Sequence, residues 1–104
     1  MEIDQETLQH RLSSDQNVKL LDVRESFELE RGILPHAIHI AMSQLQSRVS
    51  ELSHQDHYVV YCEHGVRSLH VAAWLIEQGF KAESLAGGFA VWTGETEQFV
   101  EPLG

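Results

Sequence analysis

Short apolar runs alternate along the chain with segments whose apolar residues recur at helical spacing. The runs at residues 18–23 (VKLLDV) and 57–61 (HYVVY) are short and mostly apolar. Such runs are typical of strands that are covered on both faces, as in a parallel sheet. The segment AESL at 82–85 is predicted as the last strand, and IHI at 38–40 as a shorter, alternating one.

A first helix is predicted over residues 5–13. Asp4 is placed to cap its N-terminus, and Ile3 and Leu8 have the spacing of a hydrophobic staple. Further along, residues 26–31 (SFELER) predict a brief helical turn.

Another helix is predicted after Ser43, which has the spacing of a capping box with Gln46. Its apolar residues share one face: Leu45, Val49 and Leu52. The longest helix is predicted over 68–78 and ends at Gly79. Its apolar face is predicted to comprise Leu69, Ala72, Ala73, Leu75 and Ile76. Gly87 and Gly88 then predict a turn, before a short helical piece, FAVW.

This alternation of strands and amphipathic helices predicts an α/β fold with a mainly parallel sheet. The length of 104 residues fits one domain, spanning 1–104. In such sheets ligands bind beyond the carboxyl ends of the strands, where both Asp22 and Cys62 are predicted to lie. We therefore expect these two residues to share one mouth.

The charge of the chain argues against two classes of partner. With 7 Lys+Arg against 16 Asp+Glu, the net charge of -9 repels nucleic acid and anionic membranes. The acidic N-terminus does not resemble a signal peptide, and no apolar run is long enough to cross a bilayer. We expect a cytoplasmic, monomeric protein that binds neither nucleic acid nor membrane.

The chain contains a single cysteine, Cys62, which has no partner for an internal disulfide. It opens the segment CEHGVR, residues 62–67, here called the cysteine loop, between a predicted strand and a predicted helix. In so short a loop, backbone N–H groups and the helix N-terminus converge above the sulfur and, with Arg67, favour a thiolate. Gly65 supplies a residue free to take positive φ, and Ser68 is placed to cap the helix or to donate a hydrogen bond inward.

Three segments resemble the rhodanese family: LLDVRESFELERGILPHAIHI at 20–40, CEHGVRS at 62–68 and, more weakly, LAGGFAVW at 85–92. They occur in the family's order and at its usual separations. The resemblance implies a doubly wound, mainly parallel sheet with helices on both faces. It also implies a sulfurtransferase.

The implied reaction has two halves, joined by a persulfide on Cys62. Sulfur would come from a sulfane donor such as thiosulfate and pass to a thiol, cyanide or a protein acceptor, without a metal ion or cofactor. Cys62 would be the catalytic residue. The substrate-binding residues would be Asp22, Arg24, Glu63, His64, Gly65, Val66, Arg67 and Ser68.

Two features of these motifs shape the expectations. Glu63 places a negative charge where anionic thiosulfate would approach, and this opposes binding unless the side chain points to solvent. For Asp22 and Arg24 a structural role is favoured over substrate contact, with Asp22 accepting loop N–H groups and Arg24 pairing with Glu28 or a neighbouring carboxylate.

Other functions are compatible with parts of the pattern. A cysteine phosphatase or arsenate reductase uses a similar loop, but its signature is one residue longer between cysteine and arginine. His64 beside Cys62 is compatible with a cysteine protease, and histidine pairs three residues apart with a metal site, although surface histidines are favoured. A non-catalytic domain that docks a partner or senses redox state is the third class.

Overall fold

The structure is a computed structural model that describes residues 1–14 and 17–101. Its strands are β1 (Glu2–Ile3), β2 (Val18–Asp22), β3 (Ile38–His39), β4 (His57–Tyr61) and β5 (Lys81–Leu85). Its α-helices are α1 (Gln5–Leu12), α2 (Leu45–Arg48) and α3 (Val66–Glu77). Its 3₁₀ helices are Ser26–Arg31, Met42–Gln44, Val49–Glu51 and Phe89–Val91. The predicted domain boundary at residue 104 lies outside the described residues.

The five strands form one parallel sheet in the order β1-β5-β4-β2-β3. The register of β2 on β4 runs from Val18 opposite His57 to Asp22 opposite Tyr61. Because both strands end at the same edge, the residues that follow them are neighbours. This confirms that Asp22 and Cys62 both lie at the carboxyl ends of neighbouring strands.

The side chains of the central strand β4 alternate between two apolar layers. Tyr58 and Val60 pack on one face with residues of α2 and α3. Val59 and Tyr61 pack on the other face with Leu8 of α1. The sheet therefore has helices on both faces, which confirms the α/β, doubly wound, rhodanese-like fold class with a parallel sheet.

The strand β1 is absent from the sequence-based prediction. It has only two residues, Glu2 and Ile3, which pair with Ser84 and Leu85 of β5. A run of two residues is too short for any hydrophobic period to be read from it. Ile3 does pack in the same core cluster as Leu8, so the contact that suggested a staple joins a strand to α1.

Two helix predictions were wrong in detail. Ser43 is not a helix cap, because the helical turn already begins at Met42; its hydroxyl instead donates to the Glu25 carboxylate at 3.1 Å. In α3, Ile76 is 44% exposed although it was predicted on the apolar face. The face that is buried contains Ser68, Val71, Ala72 and Leu75, so it includes a polar residue.

The described residues contain no helix long and apolar enough to cross a membrane.

Candidate functional site

The Cys62 sulfur lies at the end of β4, almost wholly buried, where backbone N–H groups point at it. The Gly65 N–H donates to Sγ at 3.2 Å and the Ser68 N–H at 3.4 Å. The loop can turn this tightly because Gly65 adopts φ 91°, immediately before α3 begins. A Cβ at that position would also come within 3.0 Å of the Gly87 backbone nitrogen.

This surrounding acts on the acidity of the thiol in two directions. Burial acts to raise the pKa of Cys62, whereas hydrogen bonds from the Ser68 hydroxyl and from the N–H groups of Ser68, Gly65 and His64 act to lower it. The hydrogen bonds outweigh burial, so the pKa of Cys62 lies below its ordinary value. The surroundings therefore stabilise the thiolate form relative to a free cysteine in water.

Ser84, which the sequence pattern did not single out, extends this network into the core. Ser68 Oγ lies 3.4 Å from Cys62 Sγ and 2.7 Å from Ser84 Oγ, and both serines are fully buried. A thiol can donate to Ser68, and a thiolate can accept from it, because a hydroxyl serves either role. The available signal was a serine at an inward-facing position of β5, on the same face as Ala82.

The turn after β5 supports the cysteine loop from behind. The N–H of Phe89 donates to the carbonyl of Cys62, and that of Ala90 to the carbonyl of Glu63, both at 2.9 Å. Gly88 has φ 65°, and a Cβ there would lie within 2.7 Å of the Glu63 carbonyl oxygen. The glycine pair predicted as a turn is thus also a close contact of the loop backbone.

Arg67 is bound to a carboxylate on the Ser26–Arg31 helix. Its two Nη atoms donate to the two oxygens of Glu28 at 2.6 and 2.7 Å. The hydrogen bond from Arg67 lowers the pKa of Glu28 to about 2, and the same bond raises the pKa of Arg67. This fork-to-fork pair ties the start of α3 to the segment after β2.

Asp22 and Arg24 form a pair whose side chains are fully buried. Arg24 Nη2 donates to Asp22 Oδ2 at 2.7 Å and to the Gly32 carbonyl at 2.8 Å, and both side chains are 0% exposed. Asp22 also accepts the backbone N–H of Arg24. Arg24 is thus paired with Asp22, whereas Glu28, one expected partner, contacts Arg24 only through its backbone carbonyl.

Glu63 points neither to solvent nor at the sulfur. Its carboxylate accepts a hydrogen bond from Arg24 Nη1 at 3.4 Å and another from Arg31, and its side chain is 15% exposed. The two arginines therefore pair with the Glu63 carboxylate, whose negative charge was expected to oppose an anionic donor. His64 and Val66 are the exposed residues of the loop.

The histidines engage in other contacts. The His39 ring lies 2.7 Å from the carbonyl of Arg24, and the His54 ring stacks on Phe80. Within residues 1–14 and 17–101, no group of three or more His, Cys, Asp or Glu side chains is arranged to hold a metal ion.

Known proteins are similar to this chain in sequence and in fold. A protein of Allochromatium vinosum named sulfurtransferase is 35% identical over 104 residues, which cover 99% of this chain and 97% of that one. The thiosulfate sulfurtransferase GlpE of Coxiella burnetii is 37% identical over 82 residues, which cover 78% of this chain and 77% of that one.

The crystal structure of a rhodanese-like domain protein from Staphylococcus aureus has a TM-score of 0.87 at 28% identity, covering 95% of this chain and 98% of that one. The model of the family described as rhodanese-like domain matches residues 4–95. A match over this share of the chain, with the same fold, means that the chain belongs to the family of rhodanese-like domains.

Proposed function

We propose that the protein is a sulfurtransferase in which Cys62 carries the transferred sulfur as a persulfide. The observation that carries this proposal is the pair of N–H groups, from Gly65 and Ser68, that point at the Cys62 sulfur. They stabilise negative charge on the sulfur, and a thiolate is the nucleophile that the reaction needs. The relatives named sulfurtransferase support the same reaction class.

In the first half of the reaction, the Cys62 thiolate attacks the outer, sulfane sulfur of a donor such as thiosulfate. A bond forms between Sγ and that sulfur, and the sulfur–sulfur bond of thiosulfate breaks. Sulfite leaves with the electron pair of the broken bond. No metal ion or organic cofactor takes part, because the sulfur itself is the group transferred.

In the second half, a thiolate or cyanide attacks the outer sulfur of the persulfide. The sulfur–sulfur bond breaks and its electron pair returns to Cys62 Sγ. A leaving thiolate departs faster when its pKa is low, so the hydrogen bonds that lower the pKa of Cys62 favour this half as well. The same network thus serves both halves of the cycle.

We also propose the cell compartment and the oligomeric state in which the protein acts. A free thiol persists in a reducing compartment, so we place the protein in the cytoplasm, acting as a monomer on a small sulfane donor and a thiol or protein acceptor. Its distribution between cell fractions and its mass in solution test these two statements directly.

Intact-mass measurement tests the central claim. The reduced protein is incubated with thiosulfate, freed of excess donor, and weighed before and after addition of cyanide, with Cys62→Ser as the control variant. We expect a gain of one sulfur atom that cyanide removes and that the variant lacks. Absence of any adduct, together with hydrolysis of an aryl phosphate that depends on Cys62, would indicate a phosphatase instead.

A further inference from the structure

Each arginine beside the cysteine loop is already paired with a carboxylate. Arg67 is bound to Glu28, while Arg24 and Arg31 both reach Glu63. A guanidinium group that is bonded to a carboxylate has much of its charge cancelled at the distance of an approaching ion. The loop therefore offers little positive charge to a dianionic donor.

The lysines of the chain lie at the other end of the sheet. Lys19 is the second residue of β2 and Lys81 the first residue of β5, whereas Cys62 follows the carboxyl end of β4. The two remaining arginines are paired with carboxylates away from the loop. Hence neither lysine faces the site.

Carboxylates outnumber guanidinium groups around the loop. The acidic residues of the loop, of the end of β2 and of the segment through Arg31 are Asp22, Glu25, Glu28, Glu30 and Glu63. The arginines of the same segments are Arg24, Arg31 and Arg67. With five acidic residues against three arginines, the formal charge of this region is -2.

A cleft along the Ser26–Arg31 helix combines aromatic side chains with carboxylates. It has a volume of about 370 Å³ and is lined by Phe27, Glu30, Phe99 and Glu101, among others. Phe27 is 81% exposed, and both glutamates are exposed as well. Aromatic faces beside carboxylates are the groups that bind a lysine or arginine side chain.

The helix that forms one wall of the cleft also bonds the cysteine loop through its other residues. Glu28 binds Arg67, and Arg31 binds Glu63, the residue after Cys62. A protein whose thiol reaches Cys62 along this helix can contact Phe27 and Glu30 with the side chains that flank the thiol. Charge complementarity then decides which proteins dock.

We propose that the sulfur acceptor of the Cys62 persulfide is a protein thiol flanked by basic side chains, which docks on the Phe27–Phe99 cleft and its exposed carboxylates, Glu30 and Glu101. This inference rests on the proposed sulfurtransferase function and names its acceptor class. The partner's thiolate attacks the outer sulfur of the Cys62 persulfide, and a new sulfur–sulfur bond forms on the partner. The old bond breaks, its electron pair returns to Cys62 Sγ, and no oxidant or reductant is consumed.

The test uses two synthetic cysteine peptides of equal length, one with lysines and one with glutamates on both sides of the cysteine. Protein whose persulfide has been verified by intact mass is mixed with each peptide at about 20 mM and about 500 mM sodium chloride. Each transfer rate is divided by the peptide's rate with neutral methyl methanethiosulfonate, which corrects for thiol acidity. We expect the lysine peptide to react about tenfold faster at low salt and less than about twofold faster at high salt.

Two double variants separate docking from overall charge. Glu30→Gln with Glu101→Gln removes two charges from the cleft, and Glu6→Gln with Glu77→Gln removes two exposed charges elsewhere. We expect the first pair to lower the lysine preference at least about threefold and the second to leave it unchanged. Equal rates for the two peptides at low salt, or equal effects of the two variant pairs, would overturn the inference.

The experiments distinguish a failure of the proposed sulfurtransferase function from a failure of the proposed partner class. If no donor loads sulfur on Cys62, the mass measurement fails before any peptide is added, and both proposals fall together. If the persulfide forms and either outcome named above follows, only the choice of partner is wrong.

Discussion

At the scale of single residues, two buried hydroxyl groups extend the hydrogen-bond network of the Cys62 sulfur beyond the loop. The Ser68 hydroxyl contacts both the sulfur and Ser84 Oγ. When the sulfur is a thiolate, Ser68 is needed as its donor, and Ser84 can then donate to Ser68 in turn. Donors linked in this way strengthen one another, so Ser84 acts on the sulfur without touching it.

Replacement of Ser84 by alanine should therefore raise the pKa of the Cys62 thiol. We expect the midpoint of the pH profile for alkylation by iodoacetamide to move upward, with a rate at neutral pH about two- to threefold lower. Ser47→Ala, which removes an exposed hydroxyl bonded to the Gln44 carbonyl, is the control and should leave the profile unchanged. An unchanged midpoint in a folded Ser84→Ala protein would contradict a role for this serine.

At the scale of elements, the loop is held between the turn after β5 and the Ser26–Arg31 helix. Any side chain at Gly88 would meet the backbone of Cys62 and Glu63, so the turn must shift to accept one. Gly79 offers a matched comparison. It also has positive φ, 92°, but a Cβ there would meet only the His54 ring, at 3.7 Å.

Gly88→Ala should thus both destabilise the protein and disturb the thiol. We expect Gly79→Ala to cost about 1–2 kcal/mol, the conformational cost alone, with an unchanged alkylation rate of Cys62. Gly88→Ala should cost more and also slow alkylation, because the backbone of the loop must shift. Urea unfolding and alkylation kinetics measure the two effects, and equal behaviour of the two variants would contradict the proposed support of the loop.

The ion pair of Glu28 with Arg67, which joins the Ser26–Arg31 helix to the loop, makes the stability of the protein depend on pH. The folded-state pKa of Glu28 is about 2, below the ordinary value of 4.5, so the unfolded chain binds a proton first as the pH falls. The stabilisation is complete above about pH 5 and is lost as the pH falls toward 2. For a pair that is partly exposed, we expect it to contribute about 1 kcal/mol.

The comparison of Glu28→Gln with the unaltered chain measures this contribution. The difference in free energy of unfolding should be constant between about pH 5 and 7 and should shrink at lower pH. Arg48 and Glu51 form an exposed pair, so Glu51→Gln serves as a control and should change stability less. A difference that grows as the pH falls would have the wrong sign for this ion pair.

The sequence predicts well the elements whose cause is local. The strand at 57–61, the positive φ of Gly65 and the helix after it follow from side-chain pattern and from the shortness of the loop. Pairings between distant segments do not follow. Glu28 and Arg67 are 39 residues apart, and Glu63 reaches Arg24 across the same separation, so only the folded sheet brings each pair together.

At the scale of the whole molecule, charge is the property that the fold distributes unevenly. The net charge of -9 is a property of the composition, but the fold decides that the lysines lie far from Cys62 and that the nearby arginines are paired. An anionic donor must therefore approach against the field of the protein. Screening by salt weakens that field. It should therefore speed the approach of an anionic donor and slow the approach of a basic partner.

The dependence of sulfur loading on salt should accordingly be inverse to that of an enzyme with a cationic pocket. We expect kcat/KM for thiosulfate to rise about two- to fivefold as sodium chloride increases from about 20 to about 200 mM. The rise follows because two negative charges repel less when screened, and it can be measured from the initial rate of thiocyanate formation with saturating cyanide. Glu30→Gln with Glu101→Gln should flatten the dependence more than Glu6→Gln with Glu77→Gln, since only the first pair lines the cleft on the helix that bonds the loop. A kcat/KM that falls with salt would mean that an arginine at the mouth releases its carboxylate and binds the donor directly.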